Sequence, residues 1–263
     1  MMLRCTLFLI SFFFAFWVRS QDTLTLTPLN AIQCMNIDAS QNIWVTDDAF
    51  TLYKFDLTGK QITNVNIKSY GTISSIDCSN PFEIYVYHRD QNILVFYDNM
   101  LNKRGEIRFN DLYIYNVACV ARSFDNQIWI LDISDYTLKK ISKSGKLLAS
   151  SIYLNTISSK ALNTYKIWEE DGHTLVADSL NGIHSFDLFG TYETTYSFYP
   201  CTSATSISKL FYVNQKGSLM AYNSILRNPI PLKYSLPLFA QITKSGNAIY
   251  YSVENRVIRI PIQ

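Results

Sequence analysis

The chain has 263 residues, with 23 Lys and Arg residues against 21 Asp and Glu residues, and it contains no basic block of five or six residues. The first 20 residues carry two arginines and no acid, so the remainder has 21 residues of each sign and a formal charge of zero. A balanced chain exerts no long-range attraction on nucleic acid or anionic lipid, so no nucleic-acid partner is expected. About 240 residues are enough for one large β domain or two small ones.

The first 20 residues are predicted to be a secretory signal peptide. Arg4 precedes the apolar run Leu7–Val18, and the residues three and one before the junction after Ser20 are aliphatic and small. The run is shorter than the ~20 residues of a comfortable membrane span, although the bulky Trp17 leaves an uncleaved anchor as the alternative. We therefore expect cleavage after Ser20 and a secreted or periplasmic domain, residues 21–263, with no membrane span.

The stretch Asn42–Ile67 contains the unit that the rest of the chain repeats. A short apolar run, Ile43–Val45, is followed by an alternating run, Leu52–Asp56, then by a Thr-Gly turn and a third run, Ile62–Ile67. Each run is short, rich in β-branched and aromatic residues, and bounded by Asp, Asn, Thr or Gly. This composition is typical of strands joined by tight turns.

The opening run of this unit recurs six times, at intervals of 36 to 46 residues. Its copies begin at Ile43, Ile84, Ile128, Thr174, Leu210 and Ala248. Each copy has one alternating run before it and another after it, and the interval is close to the ~40–50 residues of a four-stranded propeller blade. The sequence therefore predicts an all-β, six-bladed β-propeller with four-stranded antiparallel blades, and seven blades are the alternative. The strands of a blade are named A to D from the axis outwards.

The two ends of the chain provide a test of this architecture. The sixth unit ends after its C strand, Val257–Ile260, whereas an unassigned alternating run, Thr23–Thr27, precedes the first A strand. We expect this run to pair with Val257–Ile260, to complete the last blade and to close the ring. Closure would remove two sheet edges that otherwise favour aggregation.

The repeat pattern also resembles known propellers. A short Trp- or Tyr-bearing strand, then an aromatic strand ending in Asp and a Gly turn, is similar to the NHL and YVTN-type six-bladed propellers. The stretches Ser75–Tyr87 and Asn92–Asn102 resemble a group of uncharacterised secreted propeller proteins of Bacteroidetes. That group implies no activity for this chain, and the broader propeller family includes both binding proteins and enzymes.

Three cysteines, Cys34, Cys119 and Cys201, each lie nine residues before the start of an aligned run. They therefore share one position on the inner strands of the first, third and fifth blades. Such positions are farther apart than the ~7 Å between Cα atoms that a disulfide tolerates. Because Cys78 occupies a different position, we expect four buried free thiols, with a three-thiolate metal site on the axis as the alternative.

A polar residue lies four positions beyond the start of each aligned run, where the B strand ends. Two interpretations are open: a polar ring at a pocket mouth that binds a metal or polar ligand, or short side chains that cap the B–C turns. The candidate ligand-binding residues are Asp47, His88, Asp132, Asp178 and Asn214, and Ser252 has the sixth position.

No catalytic motif is present, and the three histidines have no paired ligand spacing. The acids available on inner strands are Asp38, Asp77, Glu169 and Glu170. We therefore predict no cofactor and a monomeric, exported, non-enzymatic scaffold that binds a protein or glycan of the cell envelope. The alternative is a metal-dependent hydrolase or lyase with its site at the central axis. Many tyrosines are expected to pack between blades, and the candidate partner-facing residues are Tyr192, Tyr196 and Tyr199.

Overall fold

The computed structural model describes residues 22–29, 31–158, 160–225 and 228–262. The predicted signal peptide, including the cleavage point after Ser20, lies outside these residues. Apart from strands, the described chain forms three short 3-10 helices, at Lys68–Tyr70, Phe109–Leu112 and Leu154–Thr156. None of its helices is long and apolar enough to span a membrane.

Within the described residues, 24 strands form six antiparallel sheets of four strands each. The first blade contains β2 (Cys34–Ile37), β3 (Ile43–Thr46), β4 (Thr51–Phe55) and β5 (Gln61–Asn66). The second contains β6 (Ser75–Asp77), β7 (Ile84–His88), β8 (Ile93–Tyr97) and β9 (Lys103–Arg108). The third contains β10 (Val117–Arg122), β11 (Ile128–Asp132), β12 (Thr137–Ile141) and β13 (Leu147–Ser150).

The remaining three blades have the same order of strands. The fourth contains β14 (Thr164–Glu170), β15 (His173–Asp178), β16 (Gly182–Asp187) and β17 (Tyr192–Tyr196). The fifth contains β18 (Ser203–Ile207), β19 (Leu210–Gln215), β20 (Ser218–Asn223) and β21 (Pro229–Ser235). The sixth contains β22 (Ile242–Ser245), β23 (Ala248–Val253), β24 (Arg256–Pro261) and β1 (Asp22–Thr25).

The prediction of six four-stranded blades is confirmed. The A strands are innermost: β2 contacts β6 and β22, β10 contacts β6 and β14, and β18 contacts β22. Six clusters of buried apolar side chains lie between successive blades, one at each junction. The sheets therefore pack face to face around an axis, and most apolar burial comes from contacts between blades.

The predicted ring closure is also confirmed, with the N-terminal strand in the last blade. Strand β1 pairs antiparallel with β24, with Leu24 opposite Val257. The chain then continues into the junction between the sixth and first blades, where the Leu26 side chain is fully buried. The Leu26 backbone N–H also donates to Asn255 O (2.8 Å). Both backbone pairing and apolar burial therefore hold the two ends of the chain together.

The recurring Asp at the end of the C strand has a structural role. Asp56, Asp98 and Asp187 each use Oδ1 to accept hydrogen bonds from the backbone N–H groups two and four residues later, at 2.8–3.0 Å. These bonds close the C–D turn, in which the Gly of the Thr-Gly and Phe-Gly turns adopts a positive φ, as at Gly59 (φ 82°). The repeat signature therefore encodes a capped turn.

Candidate functional site: the axial channel and the D–A face

Hydrogen bonds between neighbouring A strands or A–B loops connect all six pairs of adjacent blades. Three of them involve the first, second and third blades. Thr243 Oγ1 donates to Asn36 Oδ1 (2.7 Å), Asn36 Nδ2 donates to Ile76 O (2.9 Å), and the Arg122 backbone N–H donates to Asp77 Oδ2 (2.8 Å). Several polar side chains on the axis therefore use their hydrogen-bonding groups to connect adjacent blades.

The other three junctions are joined in the same way. The Glu169 carboxylate accepts from the Phe124 backbone N–H (2.6 Å). Lys166 Nζ donates to Ala204 O (2.9 Å), and Ser203 Oγ accepts from the Ile242 backbone N–H (2.9 Å).

A channel of about 980 Å³ runs along the axis between the six A strands. Its lining extends from Phe239, in the loop before the sixth blade, to Phe124, in the A–B loop of the third blade. Both aromatic side chains are exposed. A cavity of this size could hold a small molecule, and polar side chains could fix its orientation.

Charged side chains around one side of the channel are already paired. Arg122 donates to Glu83 Oε2 (2.5 Å) and Asn126 Oδ1 (2.7 Å), and its guanidinium lies 4.3 Å from the centre of the Tyr85 ring. Glu169 accepts from Ser123 Oγ (2.8 Å) and from the Trp129 indole N–H. The Arg122 and Glu169 side chains are therefore held in place by protein partners, and few of their hydrogen-bonding positions are left for a ligand.

The side chains of Lys166, Trp168 and Glu170 share one face of β14, because successive strand residues point to opposite faces. The Trp168 indole N–H donates to Ser206 Oγ (2.8 Å), and Ser206 Oγ donates to Glu170. Glu170 also forms an ion pair with Lys244 of the neighbouring sixth-blade A strand. Trp168, Ser206, Glu170 and Lys244 therefore form a continuous chain of hydrogen bonds. Lys166 lies beside this chain and has no carboxylate partner among the described residues.

The environment of Lys166 disfavours its charged form. Burial within the protein lowers the pKa of its amine, and repulsion by Lys244 lowers it further, to about 8. The carboxylates of Asp77 and Glu170 oppose this shift only in part. The Lys166 residue lines the channel and is partly exposed. The sequence interpretation did not single out Lys166, although it placed this residue on a predicted inner strand.

The five predicted ligand-binding residues lie, as expected, where the B strands end and the B–C turns begin. None of them lines the channel. Asp47 accepts from the backbone N–H groups of Ala49 (3.0 Å) and Thr51 (2.8 Å). Asp132 accepts from the Ser134 backbone N–H (2.9 Å) and from Lys139 Nζ (2.7 Å). Both carboxylates therefore cap B–C turns.

The other three residues of this set are buried and engaged by nearby loops. Asp178 accepts from the backbone N–H groups of Asn163 (2.6 Å), Leu180 (2.8 Å) and Asn181 (2.8 Å). Asn214 Nδ2 donates to Pro237 O (3.0 Å) and Ala240 O (3.2 Å). His88 Nδ1 donates to Gly71 O (3.2 Å), and its Nε2 has no hydrogen-bond partner in the described chain. A ligand-binding role for the five residues stays a prediction.

The three candidate partner-facing tyrosines have different environments. Tyr192 packs edge-on against Phe186 (5.8 Å between ring centres), and Tyr196 stacks on Phe198 (5.8 Å). Both are partly buried at a blade junction. Tyr199 is 50 % exposed, in the loop before the fifth blade. Of the three, Tyr199 has the most surface available to a partner.

The propeller face that carries the D–A and B–C loops, called the D–A face, has a sector rich in exposed apolar residues. All five tyrosines that are strongly exposed in the described chain lie on this face. Together with Ile152, Leu180, Leu238 and Phe239, they follow the loops from the entry of the third blade to the entry of the sixth. We call this set of nine residues the tyrosine arc; its tyrosines are Tyr113, Tyr115, Tyr136, Tyr153 and Tyr199.

The four described cysteines are free and buried, as predicted: Cys34, Cys78, Cys119 and Cys201. Burial raises the pKa of the Cys34 thiol to about 11 and those of Cys119 and Cys201 to about 12. These thiols are therefore protonated and act as small packing groups. Among the described residues, no three His, Cys, Asp or Glu side chains converge in a group that could hold a metal ion.

The architecture and channel define the class: a six-bladed β-propeller whose axis carries a charged channel. Neither a protein-family model nor a curated protein matches the sequence. Solved structures do match, and at least three of these are described as lyases, two of which follow. A streptogramin B lyase is 11 % identical (TM-score 0.64), with 91 % of this chain and 96 % of that chain covered.

The second is a catalytically inactive virginiamycin B lyase from Staphylococcus aureus, solved with quinupristin, which is 14 % identical (TM-score 0.64). The match covers 93 % of this chain and 89 % of that chain. A protein of unknown function from Bacteroides thetaiotaomicron is 10 % identical (TM-score 0.68), with 93 % of this chain and 73 % of that chain covered. At these identities the similarity shows a shared fold.

Proposed function

We propose that the protein is an exported, non-enzymatic propeller that binds a protein or glycan of the cell envelope through the tyrosine arc. The observation that carries this proposal is the arc itself. Large apolar side chains are exposed along four consecutive loop entries on the D–A face, whereas Leu26 and Leu29 in the loop before the first blade are buried. Extended exposed apolar patches are typical of interaction sites.

The closed ring makes this surface suitable for binding. The loops of the arc project from sheets that are fixed on both sides by neighbouring blades, so little ordering is required when a partner binds. Tyrosine offers a large rigid contact area together with a hydroxyl group, and it is enriched in binding hot spots. Lys160 Nζ lies 3.6 Å from the centre of the Tyr199 ring, and this cation–π contact holds the Tyr199 ring in place within the arc.

The proposed location rests on the sequence. The apolar run Leu7–Val18 supports export, and the resemblance of Ser75–Tyr87 to secreted Bacteroidetes propellers, and of the repeats to NHL and YVTN-type propellers, supports an envelope role. Buried free thiols fit an exported protein because protonated, inaccessible cysteines do not form disulfides readily. The N-terminal sequence of the protein recovered from a cell-envelope fraction tests this part, and we expect it to begin at Gln21.

A lyase or hydrolase acting at the axis is the second candidate, because several similar solved structures are described as lyases. The channel acids Asp77, Glu169 and Glu170 are the groups such an enzyme would need. Each of them accepts hydrogen bonds that join neighbouring blades or strands, which favours a structural role. The binding proposal therefore has the stronger support.

The test compares two double variants that remove exposed aromatic rings from opposite faces. Tyr115→Ser with Tyr153→Ser alters the arc, and Phe82→Ser with Phe189→Ser is the matched control on the A–B face, where both phenylalanines are 78 % exposed. Tagged proteins are cross-linked in the envelope, and the captured partner is purified and titrated. A glycan array tests the other class of ligand.

We expect the arc variant to weaken binding at least about tenfold, as hot-spot tyrosines do, and the control to bind like the wild type. Equal binding by the two variants would contradict the assignment of the arc. Retained binding by the arc variant together with turnover that depends on channel acids would favour the enzyme.

A further inference from the structure

Lys166 differs from the other two cations of the channel lining, Arg122 and Lys244, because it has no ion-pair partner among the described residues. Arg122 forms an ion pair with Glu83, and Lys244 forms one with Glu170. The Lys166 amine donates one hydrogen bond, to Ala204 O (2.9 Å). An ammonium group has three donors and no acceptor, so this contact satisfies only part of its capacity.

The surroundings of this amine combine three features of a reactive lysine. It lines a channel that a small molecule can enter, it is enclosed by protein, and a second cation, Lys244, lies close enough to repel its charge. Desolvation together with a neighbouring cation is a known way to activate a lysine as a nucleophile. The Cys34 thiol beside it is not a competitor because burial raises its pKa to about 11.

We propose that Lys166 is a nucleophilic amine that captures a small aldehyde or ketone in the axial channel as a reversible imine. The neutral nitrogen adds to the carbonyl carbon, a C–N bond forms, and the carbonyl oxygen becomes a hydroxyl group. The nitrogen then loses its protons to solvent, and the hydroxyl takes up a proton and leaves as water, so that the C=N bond replaces C=O. No oxidant or reductant is required.

The expected selectivity follows from the fraction of neutral amine. With a pKa of about 8, roughly a quarter of Lys166 is neutral at pH 7.5, whereas an ordinary lysine is neutral at roughly one part in a thousand. Lys166 should therefore react at least about tenfold faster than exposed lysines, even after allowance for the lower nucleophilicity of a weaker base.

The chain provides a matched internal control in Lys54. Its side chain is also buried and the pKa of its amine is also lowered by desolvation, but it does not line the channel. Its amine donates to Asn99 at a blade junction. If burial alone produced reactivity, both lysines would react; if access through the channel is required, only Lys166 would.

The experiment treats the folded chain with propanal and cyanoborohydride, which reduces the imine to a stable propyl-amine. Peptide mass spectrometry then gives the rate at each lysine between pH 6.5 and 9.5. We expect Lys166 to label at a rate similar to that of the α-amine and to reach a plateau above pH about 8. Lys54 and exposed lysines should label at least tenfold more slowly at pH 7.5.

Two variants and one unfolded control distinguish reactivity from structure. Lys166→Arg keeps the charge and a donor for Ala204 O, so it should keep the wild-type thermal unfolding profile and lose the fast-labelled site. Lys244→Gln removes the repelling cation and should slow Lys166 labelling at pH 7.5 at least threefold. Guanidinium chloride should abolish the selectivity. Uniform labelling of the folded protein, or fast labelling of Lys54, would overturn the proposal, as would an unchanged Lys166 rate in Lys244→Gln.

Discussion

Closure of the ring by β1 makes the stability of the propeller depend on one leucine near its N-terminus. Leu26 follows the closing strand, and its side chain is fully buried between the sixth and first blades, in the same apolar cluster as Tyr250 and Phe55. Leu26→Ala removes about three methylene equivalents, which corresponds to about 2.5 kcal/mol of lost transfer free energy. The cavity adds to this, so we expect the free energy of unfolding to fall by about 3 kcal/mol.

The assay is equilibrium unfolding in urea, with Asp22→Asn as the control on the same strand. Asp22 pairs with Arg259 at 3.0 Å, but the two side chains are 67 % and 44 % exposed. An exposed ion pair contributes less than about 1 kcal/mol, so this variant should unfold close to the wild type. The comparison separates burial of the leucine from the charge on β1.

Hydrogen exchange identifies where the destabilised protein opens. In Leu26→Ala, the amides of β1 and β24 should exchange faster relative to those of β10 and β11, because local opening at the closure is easier. A loss below about 1 kcal/mol, or unchanged exchange at the β1–β24 pair, would refute the view that Leu26 secures the closure.

Two further predictions concern buried groups away from the closure. Burial lowers the pKa of His88 and of His184, so the unfolded chain takes up protons below pH about 6.5 that the folded chain refuses. The stabilisation by the neutral histidines is therefore fully present above pH 6.5, and the free energy of unfolding falls as the pH drops, by up to about 1.4 kcal/mol per pH unit for each histidine. When both histidines are replaced by Gln, the free energy of unfolding measured in urea should depend less steeply on pH between pH 7.5 and 5.5. An equally steep dependence would contradict this. Gly182 has a φ of 105°, and an added Cβ would lie 2.1 Å from Tyr196 O, so Gly182→Ala should cost about 3 kcal/mol or more. Gly246→Ala, with φ 54° and open space, should cost about 1 kcal/mol in the same assay, and similar losses would show that the contact with Tyr196 is relieved.

Sequence periodicity was sufficient to predict the blades because each one repeats the same strands and turns. Five of the six B strands begin at the predicted residue, and the fourth begins one residue earlier, at His173. The predicted A strand of the sixth blade, Phe239–Thr243, was less accurate, since β22 spans Ile242–Ser245. Its predicted start, Phe239, is an exposed apolar residue of a loop. Hydrophobicity alone does not distinguish a buried strand residue from an exposed aromatic one.

The channel chemistry could not be predicted in the same way, because it depends on which inner-strand groups find partners across blades. Asp77 and Glu169 were recognised as acids on inner strands, but their partners, the backbone N–H groups of Arg122 and Phe124, lie about 45 residues away in sequence. That Lys166 has no carboxylate partner among the described residues becomes apparent only when Lys244 is seen to form the ion pair with Glu170. Spacing along one chain does not contain that information.

The two faces of the propeller are suited to different roles because their loops differ in length. The D–A loops have six to thirteen residues, whereas the A–B, B–C and C–D connections have two to six. Short connections are fixed by caps such as those of Asp47 and Asp98, and a substitution there removes a turn. Lengthening a loop costs free energy only slowly, so the D–A loops can vary without loss of the ring. A partner surface is therefore most readily built on the face where the tyrosine arc lies.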